Sequence, residues 1–202
     1  MSDIAGTSTG SAATTAALEL AAAKRHLNVS STADDTYIGE LVDSATRWLQ
    51  DRCNRVFVWQ TRTLKMDDFA DKRYVHNRVI YPRRSPLKSV TSIKYVDTAG
   101  TTTTLASTDY VAGTGDCPGR ISEAMNATWP AVQGDADNVT ITYVAGHTSA
   151  AASVPAHVKH ALRMVVGHWY RNREAVLTGT ISKEIEFGLD AILESEQVEL
   201  YG

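Results

Sequence analysis

DDTYIGELVDSATRWLQDR, residues 34–52, carries Ile38, Leu41, Val42, Ala45, Trp48 and Leu49 at offsets 0, 3, 4, 7, 10 and 11. That spacing puts one apolar stripe on a helix. Asp34 and Asp35 open the segment, where negative charge suits the positive end of the helix dipole. Far along the chain, VPAHVKHALRMVVGHWYR, residues 154–171, repeats the same offsets with Val158, Ala161, Leu162, Val165, His168 and Trp169. Pro155 is a favourable first-turn residue, and this helix is predicted to run to about Glu174.

Outward from these two helices the texture changes. Residues 1–14 are Ser, Thr, Ala and Gly with a single charge, too little to bury, and read as a flexible tail. Thr14 or Thr15 can cap a short helix through Leu27, ended by Asn28 and the Ser30-Ser31-Thr32 cluster. From Val56 to about residue 147 β-branched and aromatic residues alternate with turn signals. Strands are predicted near 56–66, 78–81, 89–96, 101–105, 108–112, 119–122 and 138–144. SVTSIKYVDTAGTTTTL, residues 89–105, is the clearest hairpin, with Asp97 to Gly100 as its turn. TGTISKEIEF, residues 178–187, alternates and reads as extended, with a short helix after Gly188. The fold class is α+β: helices at 15–55 and from 155 to 202 form one compact unit, and a β-rich insertion occupies 56–147.

The composition is that of an ordinary globular chain of 202 residues, 43% hydrophobic and 21% charged. Twenty basic against 23 acidic residues leave a net charge of -3, which argues against a protein whose main task is coating nucleic acid. Cys53 and Cys117 are far apart and suggest neither a disulfide framework nor a zinc knuckle, so a reducing compartment fits. The first twenty residues lack the features of a signal peptide, and no apolar run approaches the length of a membrane span.

Chemistry is hard to find. His157, His160 and His168 lie within about a quarter turn of one helix face and could converge on zinc, but the H-E-x-x-H arrangement is absent and His168 falls on the apolar stripe. No G-x-S-x-G elbow occurs, and GTGDCPG, residues 113–119, lacks the lysine ending of a phosphate loop. Asp67, Asp68 and Asp71 do not match the EF-hand spacing. Lys72, Arg73, His76, Arg78, Arg83, Arg84 and Lys88 concentrate positive charge in 17 residues, which could meet phosphate or simply be the polar side of a hairpin. The reading is therefore no enzyme, no catalytic residues, no metal and no cofactor. Ile181 to Leu193 mixes Ile, Phe and Leu with little sequence left to cover it, as suits an element buried on assembly.

Several stretches in order resemble the head-tail connector (adaptor) proteins of long-tailed bacteriophages and prophages. They are AKRHLNV (23–29), DDTYIGELVDSATRWLQDRCNRVF (34–57), Gln60-Thr61 and VIYPRRSPLKSVTSIKYVDTAG (79–100). Tyr110, Gly119-Arg120-Ile121, Trp129-Pro130, VTITYVAGH (139–147) and the His-Trp-Tyr-x-x-Arg core within 154–176 follow. Gly188-Leu189 with Ile192-Leu193 resembles the closing helix, while the ending ESEQVELYG departs from the family.

The resemblance implies a structural protein of the virion neck, made in the host cytoplasm. About a dozen copies would form a ring below the portal, extend the DNA channel and carry the next neck or tail protein. Its partners would be the portal protein, a stopper or tail-completion protein and its own copies. DNA would pass through the lumen without sequence-specific binding, and no membrane would be involved. On this reading the Trp48 and Trp169 helices pack together with both tryptophans in the core, and Arg47, Asp51, Arg163 and Arg171 meet neighbouring subunits. Ile181, Ile185, Phe187, Leu189, Ile192 and Leu193 reach the portal. Arg73, Arg78, Arg83 and Arg84 project toward a neighbour or the next neck protein. Another neck component, a stopper or tail terminator, and more remotely a histidine-metal enzyme, are the alternatives.

Overall fold

The apolar stripes become helices where their period predicts them. The structure, a computed structural model, describes residues 9–10, 16–173 and 183–198. Its helices are α1 (Leu20–Leu27), α2 (Asp35–Cys53), α3 (Ala156–Arg171) and α4 (Lys183–Glu196). Its strands are β1 (Thr9–Gly10), β2 (Gln60–Met66), β3 (Val75–His76), β4 (Val79–Ile80), β5 (Leu87–Val96), β6 (Thr102–Thr104), β7 (Tyr110–Gly113), β8 (Arg120–Glu123) and β9 (Val139–Ala145). Helices from both ends of the chain and a central antiparallel β region make an α+β fold.

Residues 14–58 and 148–197 form one unit. In it α2 packs on α1, α3 and α4, and α3 also meets α1 and α4. Ile38, Val42, Ala45 and Leu49 of α2 and Val158, Ala161, Leu162 and Val165 of α3 are buried, the same residues whose spacing marked the stripes. Each buried leucine contributes about 1.5–3 kcal/mol of transfer free energy, so this shared face dominates the unit's stability. Asn28 and Asn54 close α1 and α2 at φ of 57° and 52°, a left-handed geometry that asparagine tolerates. α1 and α3 approach closely at Gly167, where a Cβ would lie 3.1 Å from Nε2 of His26 and the imidazole would have to give way.

Residues 59–147 form the body of the other unit. One sheet has the order β1-β2-β9-β5-β6 and the second the order β3-β4-β8-β7, with every pairing antiparallel. β9 is central, with Ile141 opposite Leu64 of β2 and Ile93 of β5, and its residues alternate between buried and half-buried. Gly119, just before β8, lies against Leu87 of β5. A Cβ at Gly119 would fall 2.2 Å from that of Leu87, so no larger residue fits without displacement.

Four expectations are corrected. Thr9–Gly10, expected in a flexible tail, pair with Thr63 and Arg62 at the edge of β2; residues 1–8 and 11–15 lie outside the described residues. α1 starts at Leu20, after the buried pair Ala17 and Leu18. Residues 183–187, expected to be extended, belong to α4, which also runs through Gly188. Ile185, Leu189, Ile192 and Leu193 stand at helical spacing, and contacts with α2 and α3 select the helix over the short alternation. Trp48 and Trp169 do meet edge to face, 6.5 Å between ring centres and 76° between planes, but both are half-buried rather than core.

Candidate docking surfaces

The closing helix is tied to its own subunit. Leu189 and Leu193 are buried, and α4 rests on α2 and α3. Glu196, at its last turn, accepts hydrogen bonds from Arg55, just beyond α2, and from Nε2 of His157 at 2.6 Å in the first turn of α3. Burial would raise the Glu196 pKa, but these two bonds outweigh it and hold the carboxyl below its ordinary value. Leu189 and Leu193 therefore serve the subunit's core, which corrects their expected availability to a partner. Ile192 is half-buried, Ile185 and Phe187 belong to α4, and Ile181 lies outside the described residues.

A second clamp fixes the far end of α3. Asp34, before α2, accepts hydrogen bonds from the Tyr170 hydroxyl at 2.5 Å and the Arg173 guanidinium at 3.1 Å. Arg173 also lies over Tyr37 and Tyr170, at 4.8 and 4.9 Å from their ring centres. The Tyr170 hydrogen bond, ahead of the Arg173 charge, keeps Asp34 below the ordinary carboxylate range, and the same bond raises Tyr170.

Of the expected interface residues, Arg47, Asp51 and Arg171 are exposed and Arg163 is half-buried. Arg25, His26 and His160 are exposed beside them, and His26 lies close to Gly167. Burial and then the charges of Arg163, His160 and Arg171 lower the His26 pKa.

Two arginines of the basic stretch are ion-paired within their own unit. Arg73 binds Asp67 and Asp71, each at 2.6 Å, and Arg78 binds Glu123 at 2.6 Å. Arg83 lies over Tyr74 and Lys88 over Trp59. Arg73 and Arg78 are about half exposed or more, so each ion pair is worth only about 0–1 kcal/mol. Arg84 is half-buried.

Several of the groups that might do chemistry are otherwise engaged. His157 is held by Glu196, and His168 faces Asn172. Among the described residues no group of three or more His, Cys, Asp or Glu side chains could hold a metal ion. Burial, reinforced by the nearby Glu196 charge, pushes the Cys53 thiol up to about 11, which removes it as a nucleophile at neutral pH. An open cleft of about 410 Å³ in the β unit is lined by Phe69, Trp129, Pro130, Val132, Arg78 and Glu123. Phe69 and Trp129 stack at 4.9 Å, and Glu123 spends its oxygen on Arg78 and the Trp129 backbone. Sequence reasoning missed His26, Asp34, Tyr170 and Glu196, because their partners are remote in the chain.

A model of the head completion protein family matches residues 17–184. No curated protein matches the chain significantly. Among solved structures, a chain in the neck of an empty gene transfer agent (GTA) particle, computed with C6 symmetry, is 20% identical, with TM-score 0.75 over 96% of this chain and 95% of that one. A chain in the virion of the native gene transfer agent particle has TM-score 0.73 at 20% identity, over 94% and 93%. A chain in the neck of the native particle, computed with C12 symmetry, has TM-score 0.69 at 20% identity, over 96% and 94%.

Proposed function

Because this chain belongs to the head completion protein family, we propose that it is a structural head-tail connector of a tailed phage or phage-like particle. About twelve copies form a ring below the portal in the virion neck, lengthen the DNA channel and present a platform to the next neck or tail protein. The observation that carries this reading is the fold shared over 96% of the chain with a component of a gene transfer agent neck. The twelve-fold symmetry used for that particle's native neck supports the copy number.

The role is structural rather than enzymatic: Cys53 is buried with its thiol pushed up, and His157 and His168 are engaged with Glu196 and Asn172. A net charge of -3, with Arg73 and Arg78 paired to carboxylates, favours a lumen through which DNA slides. Ile185, Phe187 and Ile192, on a helix that Leu189, Leu193 and Glu196 hold in place, supply the portal contact together with Ile181. Arg47, Asp51, Arg163 and Arg171 face neighbouring subunits, and Arg83 and Arg84 border the surface offered to the next neck protein.

Deleting the gene tests the proposal. Particles made without the protein should stall as heads lacking tails, and adding the purified protein should restore tail attachment. Complete tailed particles in its absence would overturn the reading. Phe187→Asp should block addition to such heads while leaving the thermal transition unchanged; normal addition would move the portal contact elsewhere.

A further inference from the structure

The closing helix carries charge that its own subunit does not balance. α4 holds Glu184, Glu186, Asp190, Glu194 and Glu196 against the single cation Lys183, and no basic residue stands in its last turn. A helix C-terminus already carries partial negative charge, so a carboxylate in that turn raises the energy of the free subunit. Glu196 is relieved of this by Arg55 and His157. Glu194, in the same turn, is not, and neither is Asp190 one turn earlier. Both are exposed, and among the described residues neither forms an ion pair. They stand four residues apart, the interval at which like charges on a helix repel.

The two carboxylates have an apolar companion. Phe187, Asp190 and Glu194 stand at i, i+3 and i+7, so the three positions share one face of α4. Leu189 and Leu193 are buried where α4 rests on α2 and α3, which leaves the Asp190 and Glu194 positions turned to solvent. An aromatic position flanked by charge has the composition of an interface anchor with a polar rim. DNA is excluded as the occupant, because carboxylates repel phosphate.

We propose that the portal surface receiving α4 is basic, with lysine or arginine side chains that pair with Asp190 and Glu194 around a pocket for Phe187. The inference rests on the portal-docking reading above and gives that partner its charge. Docking then supplies the cations that this end of the helix lacks, so repulsion present in the free subunit becomes attraction in the complex. Complementary charge speeds the encounter and fixes the direction in which the helix lies, while the aromatic anchor sets the residence time.

The test uses full-length chains and portal protein from the same genome, with association followed by sedimentation and by electron microscopy. Asp190→Asn/Glu194→Gln removes both charges and should weaken association by about 3- to 10-fold per site at low salt, because each exposed pair is worth a few-fold. Asp190→Lys/Glu194→Lys sets like charge against the basic surface and should weaken it by about 10- to 100-fold. Wild-type association should fall as salt is raised above about 0.1 M, and the neutral variant should lose most of that dependence. The neutral variant should melt at the wild-type temperature or slightly above it, since the repulsion along α4 is relieved. A merely structural role for the two carboxylates would lower the melting temperature instead.

Weaker docking by both variants, more so for the reversed one, with melting of the neutral chain preserved, supports the proposal. Normal docking of Asp190→Lys/Glu194→Lys beside failed docking of Phe187→Asp overturns the basic surface and leaves portal docking in place. Wild-type docking that is indifferent to salt overturns it as well. A reversed chain that docks normally on the portal and yet no longer associates with its own copies assigns the two carboxylates to a contact between copies, which also overturns it. A wild-type chain that never adds to the portal removes the docking reading and this inference with it.

Discussion

Replacing Glu196 by alanine measures how firmly the closing helix is held. Its side chain is 11% exposed, its partner Arg55 is 24% exposed and His157 is 48% exposed. The Arg55 contact is largely out of water and, as a charged hydrogen bond, is worth about 1.5–3 kcal/mol. The His157 contact is half in water and adds about 0–1 kcal/mol. A loss of about 2–3 kcal/mol is expected, which for a chain of this size lowers Tm by about 4–12 °C. Differential scanning calorimetry at neutral pH measures it, and an Arg55→Met/Glu196→Ala double-mutant cycle isolates the pair with a coupling of about 1.5 kcal/mol or more. Because folding depresses the Glu196 pKa below 4.5, its contribution is complete above that value and disappears as pH falls through the folded pKa. The wild-type advantage over Glu196→Gln should therefore shrink on acidification below about pH 4.5. A Tm change under about 1 °C, or a coupling under about 0.5 kcal/mol, would refute the clamp.

Three further outcomes are expected. Gly119→Ala should destabilise the β unit by about 1–3 kcal/mol through overpacking against Leu87, visible as an earlier thermal transition. A maleimide probe at neutral pH should label the exposed Cys117 in the native protein and reach Cys53, buried with its thiol pushed up to about 11, only after denaturant is added. Asp34→Asn should lower the Tyr170 titration toward that of ordinary tyrosine, followed by ultraviolet absorbance or NMR, because the hydrogen bond to the carboxylate, and with it the carboxylate's charge, is what the substitution weakens.

The parts of the fold that were legible are those with a local period. Ile38 to Leu49 and Val158 to Trp169 each repeat every three to four residues, and nothing else satisfies that spacing as well as a helix. The hairpin of β5 and β6 was legible for the same reason, through Val90, Ile93 and Tyr95 and the turn at Asp97 to Gly100. Residues 183–187 were misread because an alternation this short also fits part of a helical face, and only contact with α2 and α3 decides between them. The tryptophans at positions 48 and 169 sit at the edge of their stripes, where period alone does not separate core from rim.

The clamps were not legible. Glu196 finds Arg55 across 141 positions and His157 across 39, while Asp34 finds Tyr170 across 136. No local pattern encodes such partners. The same holds for Arg78, which finds Glu123 across 45 positions.

Electron microscopy of the purified protein mixed with portal protein from the same genome tests the connector account most directly. The account predicts an added layer on the portal, with copies arranged about the channel axis in about twelve-fold symmetry. A portal left unchanged at saturating protein, with the chain remaining monomeric in the mixture, would contradict it.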